Sequence, residues 1–97
     1  KTNIIPLENG LNIVKQLQGV EFDWDNEYIE KGHDIGFIAQ DVQKIDKLKS
    51  LVKSSFNIRT DEDALSVSYE KITTVLVEAI KEQQTQIDEL KKKLEEL

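Results

Sequence analysis

The stretch that decides the fold is LSVSYEKITTVLVEAIKEQQTQIDELKKKLEEL, residues 65–97. From Tyr69 onward it contains no Gly and no Pro, Glu70 stands in the first turn and Ser68 precedes it as an N-cap candidate. These features predict one uninterrupted helix over residues 69–97, roughly 40 Å long. Its apolar residues repeat at three-four spacing: Thr73, Ile80, Ile87 and Leu94 fall at a, and Tyr69, Leu76, Gln83, Leu90 and Leu97 at d. That is the seam of a coiled coil. Between Ile72 and Ile80 the additional apolar residues Val75, Val77 and Ala79 widen the stripe, which predicts that this half is covered by the rest of the domain. Beyond Lys81 only the seam stays apolar, so the tail is expected to project.

The clean seam is short for an autonomous coiled coil, and association is expected to draw support from the rest of the chain. Ile at a with Leu at d favours two parallel strands, whereas the polar Gln83 can fix register in another oligomer. The e and g positions (Val77, Ala79, Gln84, Gln86, Lys91, Lys93) carry no opposite charges to choose a partner. Lys92 and Lys93 read as pairing within the helix with Asp88 and Glu89.

Towards the N-terminus, Leu7, Leu11, Val14 and Leu17 recur at helical spacing after Pro6 and before Gly19, predicting a short helix over residues 7–18, slightly weakened by Gly10. The period then changes to two: Val20, Phe22 and Trp24 alternate with Glu21, Asp23 and Asp25, as in a strand with one buried face. Residues 27–34 read as a polar connection to a second strand around Ile35 to Ile38. Ile38, Val42 and Ile45 then return to helical spacing, with a helix start near Ala39 or Gln40. From Asp46 to Asp63 only Leu51 with Val52 and Phe56 with Ile58 offer strand candidates, and Thr60 to Asp63 reads as a polar turn. Leu65, Val67 and Tyr69 alternate as a brief strand before the long helix. The fold class is therefore α+β, a single domain over residues 1–97 with a head over 1–68 and a helical tail over 69–97.

Composition narrows the functions. With 97 residues, folding buries only about 60–65% of the unfolded chain's surface, which favours self-association. The formal net charge of −6 argues against nucleic acid and anionic membranes as partners. No cysteine is present, so there is no disulfide, thiolate metal site or thiol nucleophile. Apolar runs are too short for a membrane span, and the N-terminus lacks signal-peptide character.

Stand-alone chemistry is poorly supplied. The one histidine, His33, has no evident Ser or Cys partner and reads as a loop or strand-edge residue. Asp61, Glu62 and Asp63 lack the spacing of a calcium loop and read as a solvated turn, so neither a metal nor a cofactor is expected. Two S-x-x-K strings, Ser50 to Lys53 and Ser68 to Lys71, are short enough to arise by chance. Gly32 and Gly36 do not have phosphate-loop spacing. The aromatic stripe of Phe22 and Trp24 is expected to be core.

Taken in order, KTNIIPLENGLNIVKQLQGVEFDW (1–24), GHDIGFIAQDVQKI (32–45) and LSVSYEKITTVLVEAIKEQQTQIDELKKKL (65–94) resemble the C-terminal intramolecular chaperone domain of phage endosialidases, tailspikes, tail fibres and neck appendages. The resemblance covers nearly the whole chain, and GFIAQDV and LSVSYEKITTVLVEAIKE are its most specific strings. One departure stands out: the family commonly has a Pro-containing segment before Leu-Val, and QKIDKLKSLV (43–52) has none.

The resemblance implies a homotrimer that holds three upstream fibre chains in register while they interleave and is then released by its own Ser-Lys dyad. In that motif Lys1 occupies the place of the dyad lysine, with the Ser upstream of residue 1, so the chain as it stands is not expected to cleave itself. Such a lysine must be neutral, which needs a desolvated setting. The assembly residues are Leu76, Ile80, Gln83, Ile87, Leu90 and Leu94 in a parallel trimeric seam, with Phe22, Trp24, Phe37 and Ile38 building the head. The implied setting is the host cytoplasm during virion assembly, with the released domain absent from the mature virion. The alternatives are a permanent trimeric or dimeric coiled-coil adaptor without cleavage and, with a weaker likeness, the related domain of membrane-bound transcription factors.

Overall fold

The structure, a computed structural model, describes residues 1–24, 32–57 and 62–97, with side chains described outside 55–64. It contains short helices, two small antiparallel hairpins and one long helix, an α+β architecture. In chain order these are α1 (Gly10–Lys15), β1 (Val20–Asp23), β2 (His33–Gly36), α2 (Ala39–Gln43), a 3₁₀ turn (Lys49–Leu51), β3 (Val52–Asn57), β4 (Glu62–Val67) and α3 (Tyr69–Glu95). Two compact units result. One joins Lys1–Gln16 to Tyr69–Leu97, and the other is Leu17–Ser68.

In the first unit α1 packs against α3, and the core is Ile13 with Ile72, Val75 and Ala79. The expected cover over this half of the long helix is therefore partial: Ile72, Val75 and Ala79 are buried, whereas Leu76, Val77 and Ile80 are exposed. The helix α1 is shorter than residues 7–18. It starts after Asn9, whose φ of 61° is left-handed, and it ends at Gln16, whose N–H bonds back to Ile13 and Val14. Gly19 has no part in ending it, since no described glycine has positive φ. Gly10 serves the crossing instead: a Cβ there would stand 2.9 Å from the backbone nitrogen of Ala79 and 3.0 Å from the carbonyl oxygen of Val75. Only a residue without a side chain allows this approach.

The second unit has its own core of Val42, Ile45 and Leu48, with α2 resting on β3 and β4. The helix α2 starts at Ala39, as its spacing predicts, and is followed by two further turns that carry Ile45 and Leu48 inward. Ile38 is its exposed N-cap residue rather than a core residue. Strand β1 pairs with β2 antiparallel, Val20 opposite Gly36 and Asp23 opposite His33, so β2 runs over His33–Gly36 rather than Ile35–Ile38. The alternation of β1 holds, with Val20 and Phe22 half-buried and Glu21 and Asp23 exposed.

Trp24 lies just beyond β1 and is exposed rather than core. Its ring meets Phe22 edge to face at 5.0 Å, and its indole N–H donates to Asp34 Oδ2 at 3.2 Å. The aromatic pair shields itself and keeps its polar edge in water, which an indole readily does. Phe37 is half-buried.

The strand candidates of the patternless region merge into the β3–β4 hairpin, Val52 opposite Val67 and Asn57 opposite Glu62. Glu62 and Asp63 thus belong to β4 rather than to a turn, whereas Thr60 and Asp61 lie outside the described residues, as do the connection residues 25–31 and Ile58. Tyr69 opens α3 instead of closing a strand, and Ser68 donates its backbone N–H to the Leu51 carbonyl at 2.9 Å.

Candidate functional site

The helix α3 presents two different faces. Ile72, Val75, Ala79 and Glu82 follow one another at three-four spacing towards α1. Roughly a quarter turn around the axis, at 3.6 residues per turn, runs the a/d stripe. Along it Leu76, Ile80, Ile87, Leu90 and Leu94 keep between 41% and 68% of their surface exposed, and Gln83 is exposed among them. Complete burial of a Leu or Ile stabilises by about 1.5–3 kcal/mol, so each half-exposed side chain retains on the order of 1 kcal/mol for association.

The covered face ends in a polar contact. Gly10 donates its N–H to Glu82 Oε1 at 2.9 Å, and Leu11 donates to Oε2 at 3.3 Å. Asn9 gives no side-chain cap, so a carboxylate far along the chain satisfies the open N–H groups of α1. The spacing of residues 7–18 could not reveal this, because the donor and acceptor are separated by 72 positions.

From Glu78 to Asp88 the exposed side of the helix is held by local contacts. Lys81 pairs with Glu78 at 3.3 Å, Gln84 donates to Asp88 Oδ1 at 2.9 Å, and the Thr85 hydroxyl donates to the Lys81 carbonyl. Asp88 is thus engaged by Gln84 rather than by Lys92, and among the described residues neither Lys92 nor Lys93 forms an ion pair. Exposed pairs of that kind contribute only about 0.3–0.5 kcal/mol, which side-chain freedom easily outweighs.

The remaining chemistry-bearing residues lie apart from this face in sequence. Lys1 is exposed at the start of a segment whose Ile4 and Ile5 are also exposed. Ser50 sits exposed on the 3₁₀ turn. His33 is in β2, with Nδ1 2.8 Å from Asp23 Oδ1 and Nε2 3.0 Å from Glu21 Oε1. Hydrogen bonds to Glu21 and then to Asp23, with the field of Asp34, raise its pKa above the ordinary 6.5 against a small desolvation effect. His33, expected as a loop or strand-edge residue, is the first residue of β2, and its two carboxylate partners have no signal in the sequence because only the β1–β2 register brings them together. Among the described residues no cluster of His, Asp and Glu could hold a metal ion, and no helix is long and apolar enough to cross a membrane.

The family model described as chaperone of endosialidase matches residues 1–53. The chain belongs to the chaperone of endosialidase family. No curated protein and no solved structure matches it. In this chaperone of endosialidase chain the matched stretch runs from Lys1 through α1, the β1–β2 hairpin, α2 and the 3₁₀ turn into β3. The long helix with its exposed stripe follows the matched residues.

Proposed function

We propose that this chain is an intramolecular chaperone that trimerises in parallel through α3 and so aligns three copies of an upstream fibre or tailspike polypeptide. The observation that carries this reading is the exposed stripe of Leu76, Ile80, Gln83, Ile87, Leu90 and Leu94, lying beside a separate face of the same helix that α1 already covers. A helix with one apolar face satisfied inside its own unit and a second left open is suited to joining copies of itself. Membership of the chaperone of endosialidase family supports the chaperone role.

The physical logic is entropic. Three distant chain ends that must interleave meet slowly, because loop closure and encounter precede any reward from contacts. Association through α3 holds the upstream chains at high effective concentration and turns that encounter into a local event. Release afterwards leaves a fibre that cannot easily refold, a stability of kinetic kind. In this reading cleavage uses a Ser-Lys dyad, Lys1 being the lysine and the Ser lying upstream. It takes place in the host cytoplasm during assembly and leaves the domain out of the virion.

Sedimentation equilibrium over a wide concentration range tests the assembly. A mass of three times 11.2 kDa that persists on dilution is the expected result. Persistent monomer would overturn association through this helix alone.

The exposure of Lys1 favours a second reading, a permanent oligomerisation module without cleavage. Expression of the chain with its upstream segment separates the two. Release of a fragment beginning near Lys1, lost on Lys1→Ala, supports the cleaving chaperone, and an intact trimeric product supports the permanent module.

A further inference from the structure

One face of the β1–β2 hairpin carries a histidine held by acids on both of its ring nitrogens. The register sets His33 directly opposite Asp23 and diagonal to Glu21. Nδ1 lies 2.8 Å from Asp23 Oδ1, and Nε2 lies 3.0 Å from Glu21 Oε1. An ionised carboxylate can only accept, and a neutral imidazole has one N–H and one bare lone pair. Both bonds together therefore require the imidazolium, with a proton on each nitrogen. Deprotonation leaves one carboxylate facing a lone pair, which repels it.

We propose that the protonation state of His33 is a switch for the β1–β2 hairpin: the imidazolium clamps both acidic side chains of β1 to β2, and loss of its proton frees one of them and loosens the pairing. The four-residue strands hold half-buried Val20 and Phe22 but no buried side chain, so the exposed Trp24–Asp34 hydrogen bond and the edge-to-face contact of Trp24 with Phe22 are what oppose that loosening beside the backbone ladder. Among the described residues the charged groups that act on His33 are acidic: Glu21 and Asp23 from β1, and Asp34 beside it on β2. All three favour the charged ring, consistent with a pKa above its ordinary value. For a raised pKa, the stabilisation is fully present below the unfolded value of 6.5 and is lost as pH rises through the folded one. The hairpin is firmest in mildly acidic solution.

The test uses the whole 97-residue chain. NMR titration of the His33 ring gives its midpoint, and amide hydrogen exchange follows the hairpin, including the Trp24 N–H that donates to the Gly32 carbonyl at 3.0 Å. We expect a midpoint above 6.5 and, after correction for intrinsic exchange, hairpin protection that falls through it. The fall should be about tenfold for each unit by which the midpoint exceeds the ordinary value. Protection at Val42 and Val75, in the two cores, should not follow the titration. Glu21→Gln and Asp23→Asn should each lower the midpoint and flatten the pH dependence. A midpoint at or below the ordinary value overturns the proposal, and so does hairpin protection that stays constant through a raised midpoint. The wild-type titration decides this even if a variant fails to fold.

Discussion

Glu82 of the long helix accepts the backbone N–H of Gly10 at 2.9 Å, so the start of α1 is capped by a side chain from α3 rather than by a neighbour in sequence. The same Gly10 is where the two helices come closest. One residue thus brings the backbones together and receives the charge that complements the helix end.

Removing that charge should loosen α1. Glu82→Ala leaves the Gly10 and Leu11 N–H groups without their acceptor, and a lost cap of this kind destabilises by about 0.5–2 kcal/mol. Urea unfolding compared with wild type checks it. An unchanged midpoint would show that water serves those groups equally well.

Gly10→Ala should destabilise even though alanine is the better helix former by about 0.5–1 kcal/mol. Its Cβ meets backbone atoms of α3, which cannot swing aside like a side chain, and overpacking of this sort costs about 1–3 kcal/mol. Thermal unfolding measures the balance, and a raised melting temperature would contradict the tight crossing.

Ile80→Asp and Ile87→Asp separate association from folding. Both side chains are exposed within one chain, so helix content by circular dichroism should remain close to wild type at concentrations where both are monomeric. In a shared seam each places a charge where apolar burial is needed, and trimers should be abolished. Either variant sedimenting as a trimer would mean that another surface joins the copies.

Leu48→Ala addresses the core of the second unit. Leu48 and Val42, both in the second unit, are each 1% exposed, and truncation of such a leucine destabilises by about 2–5 kcal/mol. Chemical denaturation followed by amide protection at Val42 checks the loss. A change well under 1 kcal/mol would imply that the site collapses around the missing atoms.

Much of this architecture was legible in the residues. The unbroken run from Tyr69, the alternation through Phe22 and the spacing of Val42 and Ile45 each announce their element, because side-chain period follows directly from backbone geometry. For β3 and β4 only fragments were legible, Val52, Phe56 and the alternation of Leu65 and Val67; their full length and their pairing were not, since Lys53 and Ser54 dilute the pattern and pairing with an opposite strand supplies what local preference does not. Trp24 and Ile38 looked like core for their chemistry, yet each sits just outside the element that would have turned it inward.

By itself the sequence determined the α+β class, the long helix and the heptad stripe along it, all of which are local periodicities of apolar residues. Only the tertiary structure decided which face of α3 is already occupied, that Gly10 is a crossing point, that Glu82 caps α1, and that His33 lies between two carboxylates. Those relationships join residues far apart in the chain. Packing distance and strand register, not propensity, decide which of them meet.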